Sequence, residues 1–219
     1  MPARPAAGGG RWVDVDPARL PRWLDGFTNR HGPPSAEVDE STSTVRLVAA
    51  DGASAELSAP PGAPAPTSLD HLVAEAQRPR RLGLLLARQS AVAIGIAEGD
   101  RLVVSKVDSS YVQGRTAAGG WSQHRFARRR ENQAKAAAGG AADIAVRLLH
   151  PEVGSLSAVV TGGDRRAVEA ILADPRLAAV QALRAERFLD VPEPRLAVLE
   201  RAVGPARAIR ILVRDPSRE

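Results

Sequence analysis

Apolar and polar positions follow two different periods in the first third of the chain. An apolar stripe at helical spacing predicts a helix over residues 16–30. The residues of that stripe are Leu20, Trp23, Leu24 and Phe27. Two strand-like runs follow at residues 44–49 and 53–58, and Asp51-Gly52 between them is a strong hairpin signal. The pattern therefore predicts a small N-terminal αββ lobe.

Proline and glycine set the predicted domain boundaries. Residues 1–10 are rich in both and lack apolar periodicity, which predicts a flexible tail. Residues 11–66 form the predicted lobe together with a linker at residues 60–66, whose prolines cannot pair in a central strand. Residues 67–219 then form a second, larger domain, which starts with a helix at residues 68–77.

Three strand-like runs follow that helix, and the short turns between them predict an antiparallel meander. The runs are residues 81–87, 91–98 and 101–107. After a loop at residues 109–121, a long helix ends near residue 149 and has an apolar face only in its second half. That face consists of Ala137, Ala141, Ile144, Ala145 and Leu148.

The last third of the chain alternates between strand-like and helix-like segments. Strands are predicted at residues 156–160, 178–183 and 208–213, and helices at residues 164–173, with Asp164 as N-cap, and 194–202. A meander followed by this alternation is typical of a mixed sheet with helices on both faces. The predicted fold class is therefore α/β, with one mixed sheet in the second domain.

Basic charge is concentrated in one short segment. The 30 lysines and arginines exceed the 25 acids by five, and residues 125–135 carry five basic side chains against one acid, Glu131. Such focusing points to a polyanion, either nucleic acid or an acidic membrane. The segment lacks the continuous apolar face of a membrane-surface helix, and no apolar run approaches the ~20 residues of a membrane span. We therefore expect a nucleic-acid partner and no membrane.

Cysteine and histidine limit the chemistry that the chain can perform. The sequence has no cysteine, which excludes disulfides and thiolate chemistry. His31, His71 and His150 are far apart and form no metal-binding motif, so neither a metal nor a cofactor is expected. The N-terminal residues contain no apolar signal core, and we expect a cytoplasmic protein.

The loop at residues 109–121 and the helix after it form the strongest candidate site. Connections in compact domains average about 4–6 residues, and longer loops are often functional or mobile. Gly114, Gly119 and Gly120 remove side chains where backbone must approach a bulky partner, and the arginines that follow supply charge for phosphates. The alternative is a mobile surface loop followed by a solvated helix, although unpaired like charges at helical spacing repel one another.

The residues of this segment resemble a known family. Gly119-Gly120 and the run Arg-Phe-Ala-Arg at residues 125–128 are similar to the central domain of the class-one release factors of eukaryotes and archaea, where Gly-Gly-Gln precedes a similarly spaced Arg-Phe-Ala-Arg. The resemblance spans residues 82–213 and is most specific at residues 119–131. It implies a ribonuclease-H-like mixed sheet in which the loop projects from a strand end onto a long helix.

One position departs from the release-factor pattern. Trp121 stands where the release-factor glutamine would be, and the nearby glutamine is Gln123, which gives Gly-x-x-Gln from Gly120. That spacing resembles the release-factor-like branch of ribosome-associated quality control, whose members free nascent chains from peptidyl-tRNA on stalled large subunits. The residues before position 82 are few for a stop-codon-reading domain, so we expect rescue that does not depend on a codon.

The resemblance implies a peptidyl-tRNA hydrolase without a cofactor, with the large ribosomal subunit, peptidyl-tRNA and rRNA as partners. Gln123 would orient water at the ester through its backbone N–H, its side chain or both, while Gly119 and Gly120 would fit the loop into an RNA cavity. The RNA-binding residues would be Arg115, Trp121, Arg125, Arg128, Arg129, Arg130 and Lys135. The alternative to RNA binding for Trp121 is packing on its own domain. His124 lacks a nearby orienting carboxylate and is a weaker candidate for a general base.

Two other functions fit the same sequence. A metal-dependent nuclease would need a carboxylate cluster, for which Asp100, Asp108 and Asp164 near predicted strand ends are the candidates. A non-enzymatic RNA-binding module would use the same basic helix for affinity alone. Fold class does not choose among these functions, because function resides in the site.

Overall fold

The computed structural model describes residues 4–88, 91–109 and 123–216, and for residues 123–134 it describes the backbone only. The chain divides into two compact units. The first unit consists of Met1–Pro79 with Arg207–Glu219, and the second consists of Arg80–Ala206. This differs from the predicted division at residue 66, because the helix near residues 68–77 and the last strand both belong to the first unit.

The first unit is built on a six-stranded antiparallel sheet. Its strands are β1 (Arg4–Pro5), β2 (Arg11–Val15), β3 (Ser35–Asp39), β4 (Thr44–Val48), β5 (Ser54–Ser58) and β11 (Ile209–Arg214), in the order β1-β2-β11-β5-β4-β3. Two helices, α1 (Leu20–His31) and α2 (Leu69–Gln77), pack their apolar residues against it. Leu20, Phe27 and Leu72 are at most 1% exposed, so the predicted helical stripe does form core.

The C-terminal strand is the largest difference from the sequence prediction. We predicted residues 208–213 as part of the second domain's mixed sheet, whereas β11 pairs antiparallel with both β2 and β5 in the first unit. Ile209, Ile211 and Val213 point into the first unit's core. The period-2 pattern of a strand reports that one face is buried but carries no information on which sheet buries it.

The N-terminal segment is also more ordered than predicted. Instead of a flexible tail through residue 10, Arg4–Pro5 pair with β2, and the three glycines at positions 8–10 turn the chain with φ between 85° and 92°. Side chains do not adopt that backbone region readily, so glycine supports the turn. Strands β2 and β3 were not predicted, because the alternation of apolar and polar residues in both is weak. The lobe therefore has more strands than the predicted αββ.

The second unit contains a five-stranded mixed sheet. Its strands are β6 (Arg81–Arg88), β7 (Ala91–Glu98), β8 (Arg101–Ser109), β9 (Ala158–Gly163) and β10 (Arg184–Leu189), in the order β10-β9-β6-β7-β8. Strands β6, β7 and β8 form the predicted antiparallel meander, while β9 runs parallel to β6 and β10 runs parallel to β9. The predicted α/β class with a mixed sheet is confirmed.

Helices cover both faces of this sheet. The long helix α3 (Gln123–Leu149) and α4 (Arg165–Leu172) share one apolar cluster, while α6 (Leu196–Arg207) packs in the cluster on the opposite face. The predicted strand at residues 178–183 is wrong, because Ala178–Ala182 form the short helix α5. Leu177 and Val180 are buried three residues apart, which is helical spacing that a short apolar run conceals.

The predicted N-cap of α4 and the predicted apolar face in the second half of α3 are both confirmed. Asp164 caps α4 and accepts hydrogen bonds from the backbone N–H groups of Arg166 and Ala167 at 2.8 and 3.3 Å. The second half of α3 does pack in the core, with Ala141, Ile144 and Ala145 buried. The helix continues without a break through Gly139 and Gly140.

Candidate functional site

The candidate site begins where four strands of the second unit end. Because β6 and β8 both run antiparallel to β7, and β9 and β10 run parallel to β6, these four strands finish at the same end of the sheet. We call it the carboxyl end, defined by Arg88, Ser109, Gly163 and Leu189. Open α/β sheets commonly bind ligands outside the carboxyl ends of their strands.

Helix α3 starts on the side of the carboxyl end and runs back along the sheet. It follows β8, which finishes at the carboxyl end, and leads to β9, which begins at the opposite end. Its 27 residues give a length of about 40 Å. The first of its described side chains to pack in the core is Ala138. Residues 123–137 therefore span ~22 Å of helix backbone before Ala138.

Some of the predicted site residues lie in the described part of the chain, and others lie outside it. Arg115, Gly119, Gly120 and Trp121 lie outside the described residues. The backbone of α3 begins at Gln123 and includes Arg125, Arg128, Arg129 and Arg130, whose side chains are likewise outside it. Lys135 is exposed. Helical backbone puts positions 125, 128 and 129 on one side, since residues three and four apart are neighbours.

The first turn of α3 offers partial positive charge and backbone hydrogen-bond donors that lack an intrahelical acceptor. The first four backbone N–H groups of an α-helix have no acceptor within the helix, and they carry partial positive charge. In α3 the groups of residues 123–125 belong to this set, and the first turn contains no acidic residue. The glutamine of the Gly-x-x-Gln sequence therefore occupies the position at which a helix offers backbone donors to an anion or a polarised oxygen.

Two other arginines of the second unit, Arg176 and Arg184, are paired with carboxylates. Arg176 donates to Asp143 and Asp174 at 2.7 Å each, and Arg184 donates to Glu169 at 2.7 Å. The hydrogen bond from Arg176 lowers the pKa of Asp174 to about 2. These pairs stabilise the fold locally, whereas residues 125–135 combine five basic residues with one acid.

Two further arginines stand close to the site and were not predicted as part of it. Arg165 and Arg166 are the first two residues of α4, directly after the end of β9. Both are exposed, and the guanidinium carbon of Arg165 lies 4.2 Å from the ring centre of Phe188. The sequence signal is the pair of adjacent arginines directly after the predicted N-cap Asp164, a pattern that by itself predicts only the start of a helix.

The carboxylates considered for a metal-dependent nuclease do not come together. Asp100 lies in the turn before β8 and Asp108 near its end, so about eight residues of extended chain, roughly 25 Å, separate them. Asp164 is used as the N-cap of α4. Among the residues that the structure describes, no group of three or more His, Asp or Glu side chains could hold a metal ion.

His31 and His71 have structural partners in the first unit. The Nδ1 atom of His31 lies 2.8 Å from Asp51, and this hydrogen bond lowers the pKa of the Asp51 carboxyl. His71 Nδ1 accepts the backbone N–H of Thr67 at 3.1 Å. Within the described ranges, no helix is long and apolar enough to cross a membrane.

Sequence and fold together define a release-factor-like protein. The profile of a family described as the Actinobacteria/Chloroflexi VLRF1 release factor matches residues 80–212, more than half of the chain. The chain belongs to this family. The match begins at the first residue of the second unit and extends through most of β11. Membership confirms the release-factor resemblance.

Solved structures with detectable similarity include archaeal proteins. The crystal structure of the archaeal translation termination factor aRF1 is 22% identical, with a TM-score of 0.47, over 57% of this chain and 34% of that one. A second structure, described as an archaeal protein, is 18% identical, with a TM-score of 0.39, over 71% of this chain and 48% of that one. The chain therefore spans about a third of the length of the termination factor. No curated protein matches the sequence.

Proposed function

We propose that this protein is a peptidyl-tRNA hydrolase that releases nascent peptides from stalled large ribosomal subunits without reading a codon. The observation that carries the proposal is the start of α3 at Gln123, on the side of the sheet's carboxyl end, directly after the glycine-containing connection. Membership in a release-factor family supports the same reaction class. Large ribosomal subunits, peptidyl-tRNA and rRNA are the proposed partners, and the cytoplasm is the proposed location.

The reaction is hydrolysis of the ester that joins the peptide to the terminal ribose of tRNA. Water attacks the ester carbonyl, the carbonyl oxygen becomes an oxyanion, and the bond to the ribose oxygen then breaks. The ribose oxygen gains a proton and the peptide leaves with a free carboxylate. Because the ribosome already holds the ester, placing one water accounts for the protein's share of the chemistry.

Gln123 has two ways to take part in this step. Its backbone N–H belongs to the first turn of α3, where helix N–H groups have no intrahelical acceptor and can donate to water or to the oxyanion. Its side-chain amide can orient the attacking water. Removal of a single oxyanion donor typically costs about 10²–10³-fold in rate, which sets the scale expected for this residue.

The glycines and arginines would deliver that residue to the ester. Gly119 and Gly120 permit close approach to RNA. The predicted contacts to phosphates of rRNA or tRNA are Arg115, Arg125, Arg128, Arg129, Arg130 and Lys135, and Trp121 would stack on a base. About 22 Å of helix backbone before Ala138 gives these residues reach into a narrow cavity.

Large subunits that carry peptidyl-tRNA test the proposal directly. After incubation with the protein, free peptide, intact tRNA and cut tRNA are separated. We expect free peptide with intact tRNA for the natural sequence, and a loss of release of at least about 10²-fold for Gln123→Ala with subunit binding retained. Gln133→Ala, in the same helix, is the matched control and should release normally.

The same assay separates the other two functions. Shortened tRNA that disappears on addition of EDTA would indicate a metal-dependent nuclease. Binding to the subunits with neither peptide nor tRNA released would indicate a pure RNA-binding module. Full peptide release by Gln123→Ala would contradict the side-chain role proposed for that residue and leave its backbone N–H, which alanine retains, as the donor.

A further inference from the structure

Arg165 and Arg166 occupy positions at which a helix disfavours positive charge. They are the first two residues of α4, where the helix dipole favours acids, and the first turn of α4 contains no acid. The acid one turn further along, Glu169, is engaged by Arg184 at 2.7 Å. Neither arginine has an ion pair with a carboxylate among the described side chains. The electrostatics of α4 and its ion pairs therefore do not explain why both positions are basic.

The two arginines lie on the same end and the same face of the sheet as the start of α3. Strand β9, which α4 follows, ends at the carboxyl end, and Gly163 fixes the turn with φ 97° and no room for a Cβ beside the Ala87 carbonyl oxygen. Phe188, over which Arg165 stacks, packs in the cluster that α3 and α4 share. Three strand spacings, about 14 Å, separate the end of β9 from Ser109, where the candidate loop begins.

Arg165 is held in a defined orientation. Its guanidinium carbon lies 4.2 Å from the ring centre of Phe188, and a stacked guanidinium keeps its N–H donors directed outward in the plane of the group. That arrangement suits phosphate oxygens, which accept two parallel hydrogen bonds from arginine. Arg166 is exposed beside it without such a contact and adds a second charge.

We propose that Arg165 and Arg166 form a second phosphate-binding point for the RNA that the basic helix α3 engages. The proposal rests on the proposed function for the identity of the RNA, which is that of the large subunit or its bound tRNA. Charge complementarity selects a polyanion, since the two cations lack described acidic partners and lie at the same end of the sheet as the start of α3, whose residues 125–135 have net charge +4, five basic residues less one acid. Two contacts flanking the loop would fix its direction of entry better than α3 alone.

The test measures the salt dependence of binding to purified large subunits. Each lost phosphate contact reduces the slope of log K against log salt by about 0.7–0.9, so R165Q/R166Q should reduce it by about 1.4–1.8. Fluorescence anisotropy of labelled full-length protein between about 50 and 200 mM salt covers the informative range. R165K/R166K keeps both charges and should retain the slope of the natural sequence.

The matched control carries the same charge change on the opposite face. Arg195 and Arg201 are exposed, and α6, to which Arg201 belongs, packs on the other face of the sheet. R195Q/R201Q should leave the slope unchanged. Thermal unfolding of each variant verifies folding, and R166Q alone, which leaves the Phe188 contact intact, should still reduce the slope by about 0.7–0.9.

The outcomes separate this inference from the proposed function. An unchanged slope for folded R165Q/R166Q, or an equal reduction for R195Q/R201Q, overturns the inference whether or not peptide is released. Weaker binding with an unchanged slope also overturns it and favours an acidic protein partner. If the natural sequence releases no peptide from large subunits while R165Q/R166Q shows the expected reduction, the proposed function fails and the phosphate-binding point stands.

Discussion

Replacing Gly139 and Gly140 by alanine should stabilise the second unit. Both glycines lie within α3 with helical backbone, between its core-packed segment and its basic half. A Cβ built at either position meets no other atom within 4 Å. Neither residue has a positive φ, so alanine fits the backbone without strain.

The size of the effect follows from backbone entropy. Glycine inside a helix is less favourable than alanine, and a compatible Gly→Ala change contributes about 0.4–1 kcal/mol at each site. Both sites are exposed and an added Cβ at either contacts no other atom, so the expected gain is the sum of two backbone effects, about 0.8–2 kcal/mol. For a unit of roughly 130 residues this corresponds to an increase in Tm of roughly 3–8 °C.

Differential scanning calorimetry measures the transition, and hydrogen exchange of peptides from residues 141–149 assigns it to the second unit. Gly163→Ala is the contrasting control. Its φ is 97° and an added Cβ would lie 2.2 Å from the Ala87 carbonyl oxygen, so this variant should unfold at lower temperature. An unchanged or lower Tm for G139A/G140A would refute the reasoning, since it would mean that α3 is not a regular helix through these positions.

Two further predictions concern the folded state. Because the hydrogen bond with Arg176 lowers the pKa of Asp174 from its ordinary value of 3.8 to about 2, this interaction stabilises the folded state above pH 3.8, and the stabilisation is lost as pH falls toward 2. Urea unfolding should therefore show a stability loss between about pH 4 and pH 2 that is smaller in Asp174→Asn; equal losses would contradict the pairing. Ile211→Ala should lower the unfolding free energy by about 2–4 kcal/mol, because Ile211 is fully buried in the first unit. The loss should appear as faster hydrogen exchange in β2 and β5, its neighbours, and exchange confined to β9 would show that β11 belongs elsewhere.

Elements stabilised by contacts close in sequence were predictable. The apolar stripe of α1, the Asp164 cap of α4 and the meander of β6, β7 and β8 each depend on residues within about twenty positions of one another. Their signals, helical periodicity, a capping residue and short turns, are written in the local sequence. The structure contains all of them.

Elements defined by distant partners were not predictable in the same way. β11 pairs with β2 and β5, which are more than 150 residues away in sequence, and its own apolar pattern does not indicate those partners. α5 is too short for its helical period to be distinguished from an apolar strand. The weak alternation in β2 and β3 gives no strand signal, and β2 in addition pairs with β11, which is remote in sequence.

The sequence by itself determined the chemistry available to this protein. It supplies the Gly-x-x-Gln spacing, the net positive charge of residues 125–135 and the match to a release-factor family. Only the tertiary structure decided what stands beside that chemistry. Parallel pairing of β6 and β9 brings Arg165 and Arg166 to the same end of the sheet as the start of α3. Side-chain character is a local property of the chain, whereas the juxtaposition of separate segments depends on which distant strands form hydrogen bonds with each other.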